Sequence, residues 1–255
     1  MPLLPSRSLV YRRSLLKVSK LIVLIIAMLS TPAMAIVKGA ESPDLAKYSV
    51  MVLDDRGEMC SATILSQTVL LTAAHCVAHA SDWRVHWRDV DGKPILIKPK
   101  LVTVHPLYDP SAISKRRKSI DLALIKLSDA LPDRFVAIEV SDLSVLPAGE
   151  MVTVAGFGFS QEKNRKTLGK IRSVDLNVVQ PYGESKFILW LRDAFSGGAG
   201  GCQGDSGGPI LYKNKLIAVV SWSSGEGRSN CGYYTQGVIL LPELDWINRF
   251  IQNSN

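Results

Sequence analysis

The sequence predicts an all-β protein with a short C-terminal helix. Short apolar runs rich in Val, Ile, Leu or aromatic residues recur at regular spacing along the chain, which is typical of sandwiches and barrels. Turn-forming segments, such as Asp-Asp-Arg-Gly at 54–57 and Asp-Gly at 91–92, separate these runs. A 3.6-residue period is clear only over 243–251, which follows Pro242, so we expect one amphipathic helix there.

The predicted strands form two groups, separated by residues 131–150. This segment contains two prolines and a glycine, and we interpret it as a crossover between two halves of the protein. The first group of predicted strands comprises residues 48–53, 68–71, 83–87, 95–104 and 122–127. The second group comprises residues 151–154, 171–179, 187–191, 209–212, 216–222 and 234–240.

Residues 1–35 have the pattern of a secretory signal peptide. A basic segment precedes the apolar run 21–29, and Ala33-Met34-Ala35 follows as a cleavage site. The alternative is an uncleaved membrane anchor, but the run is only about half of the roughly 20 apolar residues that a spanning helix needs. We therefore predict a secreted protein, extracellular or periplasmic, with no stable membrane insertion after cleavage.

The formal charge of +7 is concentrated in this leader. Five of the 30 basic residues lie before residue 36 with no acidic residue among them, which leaves 25 basic and 23 acidic residues in the rest of the chain. A net charge of +2 gives little support to a nucleic-acid partner, and we predict none.

The segment Gly204-Asp205-Ser206-Gly207-Gly208-Pro209 places one hydroxyl among glycines and a carboxylate. A reactive serine needs an exposed Oγ with backbone N–H groups nearby, and glycines permit that backbone approach. A glycine-rich turn with a capping Asp is the alternative interpretation. The choice depends on a base and an orienting carboxylate elsewhere, and His75 in Thr-Ala-Ala-His-Cys and Asp121 in Asp-Leu-Ala-Leu-Ile are candidates.

These three motifs, in the order His, Asp, Ser, resemble those of the chymotrypsin/trypsin family of serine endopeptidases, in a bacterial-type secreted member. The resemblance runs from Ile36 to the end of the chain. It implies two six-stranded Greek-key barrels with a cleft between them. The N-terminal barrel would span residues 36–142 and carry His75 and Asp121, and the C-terminal barrel would span residues 143–255, with Ser206 and the terminal helix.

The resemblance also implies the role of each site residue. Ser206 would attack the substrate carbonyl, His75 would transfer the proton, and Asp121 would orient the imidazole. The backbone N–H groups of Gly204 and Ser206 would form the oxyanion hole.

Cleavage after Ala35 would free the amino group of Ile36 to pair with Asp205. In the family that the chain resembles, this pair orders the oxyanion hole and the substrate pocket. No cofactor is required.

The four cysteines follow a predicted signal peptide, so we expect disulfides, with three possible connectivities. We predict Cys60–Cys76 and Cys202–Cys231, since both bonds would brace the site beside His75 and Ser206. The sequence has no Cys-x-x-Cys, and we predict no metal site.

Substrate binding is predicted from the same resemblance. Gly200 would form the base of the pocket for the P1 side chain (S1), where trypsin-like enzymes have Asp. We therefore expect small to medium apolar P1 residues rather than Lys or Arg, although the position of Glu226 is open. The other predicted substrate-binding residues are Gly201, Ser221, Trp222, Ser223 and Gly232. The basic run 115–118 would border the sites for P2 to P4 and favour acidic residues there, unless it is a solvated loop tip.

We therefore predict a serine endopeptidase acting on protein or peptide substrates, with a protein inhibitor as a possible partner. Two alternatives stay open at this point: a non-catalytic binding protein on the same scaffold, and an esterase with the same triad.

Overall fold

The computed structural model of this chain describes residues 36–79, 82–115, 117–143 and 145–254. The predicted signal peptide lies outside the described residues. None of the helices in the described part of the chain is long and apolar enough to cross a membrane.

The first half of the chain forms an antiparallel sheet with the strand order β6-β5-β2-β3-β4-β8-β7. Its two outer segments, β6 and β7, are separated by only three residues, and the two ends of the sheet are thus brought together. We predicted a single strand over 95–104, and Pro99 divides it because proline has no N–H for the ladder. The elements of this half are β1 (Ala40–Glu41), β2 (Ser49–Asp54), β3 (Met59–Ser66), β4 (Val69–Thr72), β5 (Trp83–Arg88), β6 (Pro94–Ile97), β7 (Leu101–Val104), α1 (Ala112–Lys115) and β8 (Ala123–Lys126).

The second half forms a sheet with the order β1-β10-β11-β14-β13-β12-β9, in which β9 also pairs with β10. Six of these strands therefore form a closed ring, and β1, from the start of the described chain, lies outside it against β10. The elements are β9 (Met151–Gly156), β10 (Arg172–Val179), β11 (Ile188–Arg192), β12 (Pro209–Tyr212), β13 (Lys215–Ser224), β14 (Tyr234–Ile239) and the helix α2 (Leu244–Asn253).

Each barrel has its own apolar core, and a third cluster joins the two. This third cluster contains Leu71 and Leu124 from the first barrel with Leu211 and Val219 from the second. Ile247 of α2, only 1% exposed, packs into the same cluster. Burial of this apolar surface holds the barrels together and fixes the groups at the cleft between them.

The predicted all-β fold with a C-terminal helix is confirmed. Strand β3 was not among the predicted strands, because Ser61 and Thr63 interrupt its apolar pattern. Both are fully buried, and their hydroxyls donate to backbone carbonyls of the 204–207 segment. Buried polar groups need such partners, so these two hydroxyls belong to the site rather than to the surface.

Candidate active site

His75 and Asp121 come together because β4 and β8 pair antiparallel, with Thr72 opposite Ala123. His75 lies in a 3₁₀ turn (Ala74–Cys76) just after β4, and Asp121 lies just before β8. The end of one strand thus meets the start of the other at the same edge of the sheet. His75 Nδ1 lies 2.7 Å from Asp121 Oδ2, and the backbone N–H of His75 donates to Oδ1 at 2.9 Å.

The Asp121 carboxylate is largely buried, with its side chain only 14% exposed. Ser221 Oγ donates a further hydrogen bond to Oδ2 at 2.6 Å. Burial acts to raise the pKa of Asp121, but the bonds and charge from His75, with the Ser221 bond, keep that pKa below its usual value. Burial likewise opposes protonation of His75, but Asp121 outweighs it and raises the pKa of the imidazole. The pair is therefore suited to accept and hold a proton.

Ser206 lines the same cleft as His75 and Asp121, a cavity of about 1190 Å³. Cys76 Sγ lies 3.7 Å from His75 Nε2 and 3.9 Å from the carbonyl oxygen of Ser206. His75 and Ser206 therefore both lie next to the same sulfur atom. In the described part of the chain no hydrogen bond joins Ser206 Oγ to His75 Nε2. Catalytic hydrogen bonds are often long before substrate binds and tighten in the complex.

The backbone N–H of Gly204 is one of the two predicted oxyanion donors. The carbonyl of Gln203 accepts from Phe159 N at 3.0 Å, and the N–H of a trans peptide points opposite to its carbonyl. The Gly204 N–H therefore points away from Phe159. Gly204 has φ +97°, a conformation that favours glycine. Among the described hydrogen bonds, neither the Gly204 N–H nor the Ser206 N–H has a protein acceptor.

Strand β3 holds this loop from the first barrel. Ser61 N donates to the carbonyl of Ser206 at 2.8 Å, and Ser61 Oγ donates to the carbonyl of Gly204 at 2.9 Å. Thr63 Oγ1 donates to the carbonyl of Gly207 at 3.0 Å. The approach is so close that a Cβ on Gly207 would collide with the carbonyl oxygen of Ser61. The glycine after the serine is thus required by packing.

Asp205 points away from the cleft and is fully buried. Its carboxylate accepts from Gly158 N at 2.8 Å and from Cys202 N at 2.9 Å. Burial raises the pKa of Asp205 to about 7, and these two N–H groups partly oppose it. Ile36 is also fully buried, but its nitrogen is part of a peptide bond in the intact chain. The pair with a free Ile36 amino group stays a prediction.

The cysteines are joined as Cys60–Cys76 and Cys202–Cys231. Among the described residues, one group of possible metal ligands is His75 with Cys60 and Cys76. Because both sulfurs are in a disulfide, they offer no thiolate to a metal. Disulfides are typical of proteins that mature in an oxidising compartment.

The sequence of this chain also matches a known protein family. Residues 36–244 match the family model described as Trypsin. The chain belongs to the trypsin family. Membership of this family implies peptide substrates.

Individual relatives of this trypsin-family chain are distant. It is 30% identical over 212 residues to trypsin eta of Drosophila melanogaster, with 74% of this chain and 76% of the relative covered. It is 29% identical over 218 residues to mouse transmembrane protease serine 7, covering 75% of this chain but only 25% of that protein's length. The structure of neuropsin from mouse brain superposes with a TM-score of 0.69 at 20% identity, covering 84% of this chain and 99% of neuropsin. These relatives are animal proteins, so they give no support to a bacterial-type member.

The predicted S1 residues of this trypsin-family chain divide into two sets. Ser221, Trp222 and Ser223 line the cleft. Gly200, Gly201 and Gly232 are buried and are not part of its described lining. A Cβ on Gly201 would lie 3.2 Å from Thr235 Cγ2 and 3.6 Å from Ser223 Cβ. Thr235, which the sequence did not indicate, thus contacts one of the predicted S1 residues, and its Oγ1 accepts from Gly201 N at 2.8 Å.

The sequence left open where Glu226 and the basic run 115–118 lie relative to the cleft. Glu226 lines a neighbouring cavity of about 240 Å³ with Arg192 and the predicted pocket residue Gly232, and Ser229 lines both cavities. In the basic run, Arg117 forms an ion pair with Asp109, and Lys118 Nζ lies 4.9 Å from the ring centroid of Phe187. Arg116 is not among the described residues. Phe187 lines the cleft, so the charge of Lys118 lies beside the cleft.

Aromatic side chains form one wall of the cleft. The ring centroids of Tyr182 and Trp190 are 5.4 Å apart, and those of Trp190 and Trp222 are 6.4 Å apart. Edge-to-face contacts at these distances are favourable. This wall was not predicted, because its members come from separate parts of the chain.

Proposed function

We propose that this chain is a secreted serine endopeptidase that hydrolyses peptide bonds through His75, Asp121 and Ser206. The observation that carries the proposal is the 2.7 Å contact between His75 Nδ1 and Asp121 Oδ2, in a cleft that Ser206 also lines. The hydrogen bond to Asp121 places a proton on Nδ1 of the neutral ring, so Nε2 is the basic nitrogen. Secretion is supported by the two disulfides, together with the leader pattern.

The reaction follows from this arrangement. Ser206 Oγ attacks the substrate carbonyl while its proton passes to His75 Nε2, and the carbonyl oxygen becomes an oxyanion. The free N–H groups of Gly204 and Ser206 stabilise that charge; loss of one such donor typically lowers turnover by about 10²–10³. His75 then gives its proton to the leaving amine, and an acyl-enzyme remains. Water, deprotonated by His75, hydrolyses the ester and restores Ser206.

For the P1 residue, we propose small apolar side chains and no preference for Lys or Arg. The packing around Gly201 supports this choice, since a Cβ there would lie only 3.2 Å from Thr235 Cγ2 and 3.6 Å from Ser223 Cβ. Gly200, at the proposed base of the pocket, carries no charge to pair with a P1 cation, and an unpaired buried cation is costly.

The test is hydrolysis of casein and of a P1 peptide library by the purified chain, with Ser206→Ala as the matched control. We expect endoproteolysis that the control lacks, after Ala, Val or apolar residues of similar size. Turnover of short esters without peptide cleavage would identify an esterase instead. Dominant cleavage after Arg or Lys would contradict the proposed S1 site.

A further inference from the structure

Arg172 on β10 is a buried cation that takes no part in the triad or the cleft. Its side chain is only 4% exposed. One nitrogen donates to the carbonyl of Thr167 at 3.0 Å and another to Glu41 Oε1 at 3.3 Å. Its Nε is buried without a hydrogen-bond partner among the described residues. An unpaired buried donor is unfavourable, so this arrangement calls for an explanation.

The explanation lies in Gly156, the residue opposite Arg172 in the sheet. In the β9–β10 ladder, Arg172 is paired with Gly156, and opposed residues of an antiparallel pair point to the same face of the sheet. On that face, a Cβ on Gly156 would collide with Asp205 Oδ1. The side chain of Arg172 and the carboxylate of Asp205 therefore share one face. Since opposed Cβ positions are about 4.5–5.5 Å apart, the stem of Arg172 starts within about 8 Å of the carboxylate.

The surroundings of Asp205 offer little other positive charge. Gly158, after β9, and Cys202 contribute backbone N–H groups. Arg172 faces Asp205 from β10, with Glu41 as its acidic partner. Lys170, 62% exposed, pairs with the same Glu41. Burial lowers the pKa of Arg172, and the charges of Glu41 and Asp205 oppose that change.

We propose that Arg172 is a positioning residue that supplies the counter-charge for Asp205 while the nitrogen of Ile36 is still in a peptide bond. Coulomb attraction is strong in a poorly polarisable interior, and the spare Nε donor is available to the carboxylate. Arg172 thereby holds the 202–206 loop in its working conformation before any cleavage at Ile36. The consequence for catalysis rests on the proposed peptidase function, whereas the charge pairing itself does not.

The test uses the full 255-residue chain with residues 1–35 retained, checked by mass spectrometry, and Ser206→Ala to prevent self-cleavage. Urea unfolding is measured at pH 5.5 and pH 8.5 for Arg172→Gln, Arg172→Lys and Lys170→Gln. The last is the matched control, because Lys170 shares Glu41 but is exposed. Glu41, with its pKa below the ordinary value because of Lys170 and Arg172, is ionised at both pH values and cancels from the comparison.

Removing the positive charge should raise the folded-state pKa of Asp205 further above its unfolded value. A raised acid pKa costs stability as pH rises through it, because the folded state then holds the proton more tightly. We expect Arg172→Gln to increase the unfolded-to-folded ratio at least about tenfold more at pH 8.5 than at pH 5.5, which corresponds to one unit of pKa. Arg172→Lys and Lys170→Gln should show no such excess. An equal loss at both pH values would mean that Arg172 contributes only hydrogen bonds and would overturn the proposal.

If Arg172→Gln does not fold at either pH, Asp205→Asn is added to it. Recovery of folding in the double variant supports the charge pairing, and no recovery refutes it. Catalytic consequences are read on chains that retain Ser206, by the rate of fluorophosphonate labelling at pH 7. Arg172→Gln should label at least about tenfold more slowly and Arg172→Lys normally. Labelling confined to a form that begins at Ile36 would refute the claim for the uncleaved chain and leave the peptidase proposal standing. No labelling of any form would refute the peptidase proposal, and the unfolding data would still decide the role of Arg172.

Discussion

Ser61→Ala is the substitution that most directly tests how the first barrel supports the nucleophile loop. Ser61 is fully buried, and its hydroxyl makes two bonds: it donates to the Gly204 carbonyl at 2.9 Å and accepts from Phe157 N at 3.0 Å. Alanine keeps nearly the same volume but leaves both backbone groups unpaired. Each unsatisfied buried group costs about 1–3 kcal/mol, so we expect the free energy of unfolding to fall by about 2–6 kcal/mol.

The effect on catalysis should exceed what lost stability alone would cause. The Gly204 carbonyl and the Gly204 N–H lie on either side of one Cα, so a displaced carbonyl reorients the proposed oxyanion donor. Since losing that donor outright costs about 10²–10³ in turnover, we expect partial displacement to lower kcat about tenfold with little change in KM. A peptide aldehyde, which mimics the tetrahedral intermediate, should lose affinity in proportion to kcat.

Thr63→Val is the matched control, because it removes a similar buried hydroxyl bond to the same loop, but at Gly207 rather than Gly204. We expect it to lower the free energy of unfolding by about 1–3 kcal/mol with kcat close to the parent value. The assays are urea unfolding, and steady-state kinetics well below the unfolding transition. If Ser61→Ala lowers stability but leaves kcat and aldehyde binding unchanged, the contact is structural and the reasoning about Gly204 is wrong.

Three further predictions address the chemistry and the substrate. Asp121→Asn should fold normally but lose about 10⁴ in kcat, since the wrong imidazole tautomer is then favoured; near-parent kcat would contradict the role of Asp121. The pKa of His75 is raised, and the neutral ring is the base. We therefore expect kcat/KM to fall as the pH drops through that raised pKa. A pH profile of kcat/KM that is flat down to pH 5 would exclude His75 as the base. Lys118 lies beside the cleft, so peptides with Asp or Glu at P2–P4 should be cleaved about 2–5-fold faster than Ala versions at low salt. That advantage should shrink in 0.5 M salt and in Lys118→Ala. Equal cleavage rates for acidic and neutral peptides would mean that Lys118 is a solvated loop residue with no role in substrate preference.

The sequence was most informative where one short segment carries the whole signal. The segments around His75, Asp121 and Ser206 are each contiguous, and the pairing of β4 with β8 then brings two of them together. Short apolar runs and the turn residues between them indicated most strands. Strand β3 was not predicted because the hydroxyls of Ser61 and Thr63 suggest an exposed segment. Their acceptors in the second barrel, which explain their burial, are known only from the structure.

Features that depend on distant segments could not be predicted. The contact between Thr235 on β14 and Gly201 joins two distant segments. The position of Arg172 opposite Gly156 depends on the β9–β10 register. The two glycines at 156 and 158, two residues apart, were the available hint that a group packs there. Without the register, nothing in the sequence connects them to Asp205.

The central claim is that His75 and Asp121 make Ser206 a nucleophile. It is tested most directly by treating the full chain with a fluorophosphonate probe and locating the adduct by mass spectrometry, with Ser206→Ala and His75→Ala in parallel. We predict one adduct, on Ser206, absent in the first variant and formed at least about 10³-fold more slowly in the second, since an unassisted serine hydroxyl is a weak nucleophile. A folded chain, verified by its circular dichroism, that forms no adduct at Ser206 would contradict the account and indicate a non-catalytic protein on this scaffold.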